Sequence, residues 1–426
     1  MKKNITLLFL ALTTAASAQT IKTAEGSILG LHVSANGKYV CGDSEEGAAF
    51  IWDIEKNTVV TNSELYGESS AVAVSNNGTA TGYLGDGAMK YTAADGVMTM
   101  LDGEDSETLS TAKYITPDGN IIVGANFDEA YRQQACIWKD GTKIVLPQPT
   151  AEELGFECNG SMAISASDDG SVIIGYAVDN FDTHPFIYWT KNADDTYTLH
   201  NVCVGKYEPD FDGTNPYLQF APAAISGNGK WVSMSLMDND ENWASHMARY
   251  NMENGEITVA GVADGTFEEG TELQASEIAN DGTIIGNTAS RMGMMGRVGF
   301  IWKAGEENIQ KLSEAFPTLT KLAEYETTTM VVPSISPDGK YIAGFSVLVD
   351  EETEIPYFQT FVIDTTADPT GINNTTAATT GETETTIYTL DGKKLNAQTT
   401  NDLNRGVYII KSNNGKNVET KKVIVK

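Results

Sequence analysis

The chain has 426 residues, with 58 acidic side chains against 28 basic ones and a formal charge of −30. So acidic a protein repels nucleic acid and anionic membrane surfaces, which argues against either as a partner. Four cysteines with no Cys-x-x-Cys spacing point to neither a zinc site nor a thioredoxin-type motif, and the length supplies a core without disulfide staples.

At the N-terminus, Met1-Lys2-Lys3 precedes an apolar run over residues 5–12 and then Ala16-Ser17-Ala18. A basic start, a short apolar centre and a small-residue site predict a secretory signal peptide over residues 1–18, cleaved before Gln19. No later apolar run reaches the length of a membrane-spanning helix, so a secreted protein is expected.

A phrase then recurs seven times: a Ser/Thr/Ala-x-Asx-Gly turn, a small apolar strand, a loop and an apolar-aromatic strand. The turn glycines are Gly37, Gly78, Gly119, Gly170, Gly229, Gly282 and Gly339. Gly and Asx accept the positive φ of a tight hairpin, so each phrase reads as a strand pair. In the fourth unit, residues 162–165 form a short small-residue strand and residues 172–174 a second strand ending at Gly175. Residues 185–190 form a third strand, and residues 197–202 an outer one. The aromatic strands, such as Phe50-Ile51-Trp52, Cys136-Ile137-Trp138 and Phe300-Ile301-Trp302, suit packing between neighbouring units. Short strands repeating at this period predict an all-β, seven-bladed β-propeller over residues 19–366. The seventh unit shows no outer strand after Ile363, and Thr20-Ile21-Lys22-Thr23 is expected to supply it and close the ring.

Residues 367–385 are Thr-rich and nearly free of apolar side chains, as a linker is. Residues 386–426 return to short strands and carry three acids against eight bases, whereas residues 19–366 carry 52 against 18. The opening Tyr388-Thr-Leu390-Asp-Gly392-Lys393, the centre Arg405-Gly-Val-Tyr-Ile409 and the end Lys421-Lys-Val-Ile-Val-Lys426 resemble the C-terminal sorting domain of Bacteroidota proteins exported by type IX secretion. That resemblance implies a small C-terminal β-sandwich read by secretion machinery, and delivery to the outer surface or medium. The body resembles extracellular propeller repeats of the HAF and WD-like kinds, most closely at Ser336-Pro-Asp-Gly-Lys-Tyr-Ile-Ala-Gly344 and Ala49-Phe-Ile-Trp52. Propellers of this kind carry no fixed activity.

The four histidines, His32, His184, His200 and His246, form no His-Glu-x-x-His motif, and no phosphate-binding glycine loop or nucleophile elbow is present. Asp210-Phe-Asp212-Gly-Thr-Asn215 looks like part of a calcium loop but lacks the bidentate glutamate, so no cofactor is expected and calcium is the one metal hinted at. Cys158 and Cys203 flank the fourth unit, a placement that leaves a disulfide open.

Nine residues beyond the turn glycine stand Glu46, Asp128, Asp179 and Asp238, which the repeat places at equivalent heights on one face. Tyr131, Phe181, Asp240 and Trp243 lie beside them. Aromatic rings stack on sugar CH faces and carboxylates accept from hydroxyls, so Asp128, Tyr131, Asp179, Phe181, Asp238, Asp240 and Trp243 are the candidate ligand contacts. The leading expectation is a non-enzymatic binding protein for a glycan or protein ligand. The alternative is a propeller hydrolase or lactonase with a metal held by acids on the axis.

Overall fold

The computed structural model describes residues 19–61, 67–103, 109–179, 184–202, 217–238, 244–267, 271–289, 295–350, 353–366, 384–389, 394–395, 406–413 and 418–425. Thr20–Thr365 forms one compact unit, and Thr366–Lys426 belongs to another.

Within the first unit, seven antiparallel blades follow one another. Their innermost strands are Ile28–Val33, Ser69–Val74, Ser110–Ile115, Cys158–Ala166, Tyr217–Ile225, Leu273–Ile278 and Met330–Ile335. Each packs on the blade before it, and the first packs on the seventh, so the ring closes. Thr20–Thr23 is the outer strand of blade seven, paired antiparallel from Thr20 opposite Asp364 to Thr23 opposite Phe361. Residues 20–23 and the end of blade seven therefore lie side by side, as the missing outer strand in the sequence implied.

The buried aromatics sit where two blades meet. Trp52, Trp189 and Trp302 are almost wholly buried, as are Phe50, Phe186, Phe300 and Phe361. Indole N–H groups from this set still find acceptors: Trp52 donates to Asn57, Trp189 to the Pro147 carbonyl and Trp302 to the Glu306 carbonyl. Cys41 and Cys136 are buried hydrophobes, and burial pushes the Cys136 thiol up to about 12. Cys158 is a free thiol, and Cys203 lies outside the described residues.

The repeat's hydroxyl explains its first position. Ser34, Ser75, Thr116, Ser167, Ser226 and Ser336 are buried, and each donates to the Asx side chain two residues on. Each hydroxyl also accepts a backbone N–H from the start of the second strand, as at Tyr39 and Trp231. Blade six has Ala279 there, and Asp281 instead accepts from Thr283.

The repeat's last glycine answers a β-bulge. Every innermost strand carries an extra residue facing this glycine position, for example between Ala163 and Ser165 in blade four, and blades four and five carry a second one nearer the loop face. The bulge presses a carbonyl onto the facing strand, and a Cβ on Gly175 would overlap the Met162 carbonyl oxygen. Gly42, Gly82, Gly124, Gly286 and Gly344 make the same approach in their blades. The second strand of blade four does not end at Gly175, as its composition suggests, but runs on to Asp179, because the glycine marks close contact rather than a stop.

Successive turns also bond to each other around the ring. Asn36 N–H and side-chain amide donate to Asn76, whose N–H donates to the Pro117 carbonyl. Asp168 N–H donates to Gly227, Asn228 donates twice to Asn280, and Asn280 N–H donates to the Pro337 carbonyl. Proline has no N–H to pass the bond onward, so the belt falls into two arcs, blades one to three and four to seven.

Two helices, Leu312–Ala315 and Thr320–Glu326, follow blade six and bury Leu312, Leu322 and Tyr325 against blade seven. In the second unit the described strands Lys394–Leu395, Glu384–Thr389, Gly406–Asn413 and Val418–Val425 lie in that order in one antiparallel sheet. A sandwich was expected there; among the described residues there is a single layer.

Candidate ligand-binding face

Loops between second and third strands emerge on the face opposite the Asx-Gly turns. At the seam of blades three and four on this loop face, Gln133 of the strand Gln133–Lys139 pairs in parallel with Gly160 of blade four, joining both blades into one eight-stranded sheet. Gly160 holds φ +107, and a Cβ there would overlap the Gln133 carbonyl. This junction floors a cleft of about 230 Å³ lined by Asp128, Arg132, Gln133, Gln134, Gln148, Pro149, Cys158 and Gly160.

Asp128 lies in this cleft and is committed to its own loop. Oδ1 accepts the N–H groups of Ala130 and Arg132 at 2.8 and 2.9 Å, and Oδ2 accepts Arg132 Nε and Nη2 at 2.9 and 2.8 Å. The Arg132 backbone N–H, then its guanidinium, hold the Asp128 carboxyl below the usual carboxylate range. Gln148 is occupied as well, donating to the Ala135 and Leu146 carbonyls and accepting from Ser161. The outward donors of Arg132 and the Gln133 and Gln134 amides remain the polar groups of the cleft able to meet a ligand. Tyr131 stands at the loop tip, 74 % exposed and with φ 58, a left-handed conformation that non-glycine residues rarely adopt.

Of the other expected contacts, Asp179 and Asp238 have described backbone. Asp238 ends the second strand of blade five and bonds His246 Nε2 at 2.8 Å. Asp179 ends the second strand of blade four opposite Cys158, so the backbone sets it at the height of Asp238; its side chain is outside the described residues. Phe181, Asp240 and Trp243 also lie outside them. Arg132, the two glutamines and Gly160 were not singled out from sequence. Their signal is the polar pair Gln133-Gln134 opening a strand that continues Ala135-Cys136-Ile137-Trp138.

On the axis, the turn-side channel is lined by residues of the innermost strands and their turns, among them His32, Tyr114, Ser165 and Glu277. His32 Nδ1 accepts the Val74 N–H at 3.2 Å, so Nε2 carries the proton and faces Glu277 Oε1 at 3.2 Å. Glu277 Oε2 accepts from Ser334 Oγ and the Ile335 N–H. Both ring nitrogens are therefore engaged, and the pair ties blades one, two, six and seven across the axis. Tyr114 meets His32 edge-on, and burial, followed by Glu277 and Asp168, pushes its hydroxyl pKa up. No group of three or more His, Cys, Asp or Glu placed to hold a metal occurs among the described residues.

Asp168, at the second position of the blade-four turn, has a buried Oδ1 without a hydrogen-bond partner. Burial, then neighbouring Asp169 and Asp118, raise its pKa above the usual 3.8. A raised folded value means ionisation opposes folding: the penalty is absent below pH 3.8 and complete above the folded value. Asp168→Asn is expected to raise the melting midpoint at pH 7 by about 1–3 °C, with the two proteins converging near pH 3.5, as measured by calorimetry.

No protein-family model matches the chain, and no curated protein matches it. Among solved structures, an oligogalacturonate lyase from Vibrio parahaemolyticus superposes over 82 % of this chain and 97 % of its own, at 12 % identity and TM-score 0.50. The fold is a β-propeller. The Swd1 propeller domain of Myceliophteria thermophila covers 82 % of this chain and 100 % of its own at 10 % identity and TM-score 0.47. TolB from Acinetobacter baumannii covers 78 % and 82 % at 14 % identity and TM-score 0.38. At these identities the propeller architecture is what is shared, and the chemistry must come from this chain's own residues.

Proposed function

We propose that this propeller is a non-enzymatic binding protein, secreted or displayed at the cell surface, that takes a glycan on its loop face at the seam of blades three and four. The observation that carries the reading is the cleft of about 230 Å³ lined by the donors and acceptors of Arg132, Gln133 and Gln134, with exposed Tyr131 next to Arg132 in the same loop though not in the cleft lining. Planar amides and guanidinium donors suit vicinal hydroxyls, and an exposed tyrosine offers a stacking platform for a sugar face. On the axis, both ring nitrogens of His32 and both oxygens of Glu277 are engaged in tying blades together, which gives that pair a structural role. The basic-apolar-small start of the sequence and the sorting-domain resemblance of residues 386–426 support export, with secretion machinery as a further partner.

The test is a glycan array followed by titration calorimetry on the purified protein. A glycan hit is expected to weaken about tenfold in Tyr131→Ala and in Gln134→Ala, with unchanged melting midpoints. No hit on the array, or a hit indifferent to both variants, would overturn the cleft as the site.

A further inference from the structure

Lys113 stands where no other blade carries a charge. It is the extra residue of the blade-three bulge, three positions before the turn hydroxyl of Thr116. At the same distance before their turns, the other six blades place Leu31, Val72, Ile164, Ala223, Ser276 and Pro333, all partly buried. Five of these six are apolar, so the lysine interrupts an otherwise apolar ring.

The strand that carries it, Ser110–Ile115, is the innermost of its blade. One edge pairs with Ile121–Phe127, and the strand packs on blade two to one side and blade four to the other. The edge left over faces the axis, so a side chain exposed in mid-strand opens into the central channel. Lys113 is exposed, and among the described residues its ammonium has neither a hydrogen bond nor an ion pair. Burial nevertheless pushes its pKa below the usual lysine value, and no carboxylate acts to raise it. A side chain that water reaches and protein still crowds lies in a concavity.

The channel is closed just below this level. Tyr114, next in the chain, meets His32 edge-on, and His32 faces Glu277 across the axis at 3.2 Å. Both Glu277 oxygens are taken, by His32, Ser334 and the Ile335 N–H, so this acid is not free to pair with Lys113. On the opposite wall, blade six offers Ser276 and, one step nearer the loop face, exposed Gln274; neither carries charge. The plug shuts the turn side, so water reaches Lys113 from the loop face. What results is a blind cup with apolar walls and one uncompensated ammonium, in a ring that holds 52 acids against 18 bases.

An ammonium set among aliphatic walls gains most from one carboxylate, which matches its charge and accepts its N–H groups. A phosphate dianion would bring a second charge that nothing in the cup matches. A sugar would leave its hydroxyls unpaired against the walls. We infer that the axial cup binds a monocarboxylate with an apolar body, its carboxylate on Lys113 and its body against Leu31, Val72 and Ile164. None of these residues lines the seam cleft, so the two sites are separate.

The test is titration calorimetry of the full protein with octanoate, with acetate, octylamine and inorganic phosphate for comparison. Lys113→Met keeps the length of the side chain and removes its charge. Octanoate is expected to bind the parent and to lose about tenfold in affinity for Lys113→Met, with no fall in melting midpoint, while the comparison compounds bind far more weakly. Reductive methylation of the parent, read by mass spectrometry, gives a second measure: octanoate shields Lys113 and leaves exposed Lys321 unshielded. Absence of octanoate binding, equal binding to Lys113→Met, no shielding of Lys113, or a comparison compound that binds as tightly would overturn the proposal.

Discussion

Gly175→Ala is expected to be among the most damaging single-methyl additions in this protein, costing ~3 kcal/mol or more. The new Cβ would collide with the Met162 carbonyl oxygen and crowd the Trp189 ring, and neither neighbour is free to move. Met162 sits in the bulged innermost strand, and Trp189 is fully buried with its indole N–H bonded to Pro147. Gly141→Ala is the control. Gly141 has φ +73 but open space around it, so its substitution carries backbone strain alone, about 1 kcal/mol. Denaturant unfolding of the two variants separates close approach from φ: similar losses would refute the bulge-contact account. Blade five shows that the contact can be rebuilt. Met234 stands where the other blades have glycine, and there the Ser233 hydroxyl bonds the bulge at the Ala224 N–H and carbonyl.

Removing residues 20–23 is expected to lower the melting midpoint by about 5 °C and to promote aggregation. The strand supplies the outer pairing of Phe361–Asp364, and Ile21 packs on the core cluster that contains Phe361 and Ile363. Without it, the third strand of blade seven becomes a bare edge with unsatisfied N–H and C=O groups. Scanning calorimetry and sedimentation of chains beginning at Gln19 and at Ala24 measure both effects. An unchanged midpoint with no added aggregation would mean that the ring is held by the blade-one contacts alone. Those include the Gly30 N–H bonded to Thr360 and the Val33 N–H bonded to Ser334.

The blade plan was legible because its chemistry is local. A buried hydroxyl, an Asx two residues on and a glycine at positive φ make one self-contained turn, and six copies, with a seventh that has Ala279 for the hydroxyl, reveal the ring. The closing strand was legible by subtraction, since blade seven lacked an outer partner. The paired helices before Thr329 were hidden, because residues 312–326 only lengthen the spacing from Gly282 to Gly339 and carry no repeat phrase. Of the candidate site, Asp128 and Tyr131 lie in the loop between second and third strands that the repeat spacing assigned them to. What they join was not legible, because the cleft depends on a single parallel bridge between Gln133 and Gly160, residues 27 apart in sequence on different blades. The axial tie was equally hidden: His32 and Glu277 belong to opposite ends of the ring sequence, and only closure brings them to 3.2 Å.

The antiparallel closing strand also sets how the ring carries a mechanical load. Thr20 lies opposite Asp364, so the start of the ring and the point where the chain leaves it are neighbours at one edge. Tension drawn through the linker enters at Thr365, whose N–H and hydroxyl are bonded to Lys340 and Gly339 beside the blade-seven turn. From there it passes along the third strand and is shared with the nine-pair hairpin. The four-residue closing strand is paired with the last four residues of that strand, Phe361–Asp364, and shares the pull where it enters. Tension along the third strand of blade seven would thus divide between its hairpin partner on one side and the clasp on the other.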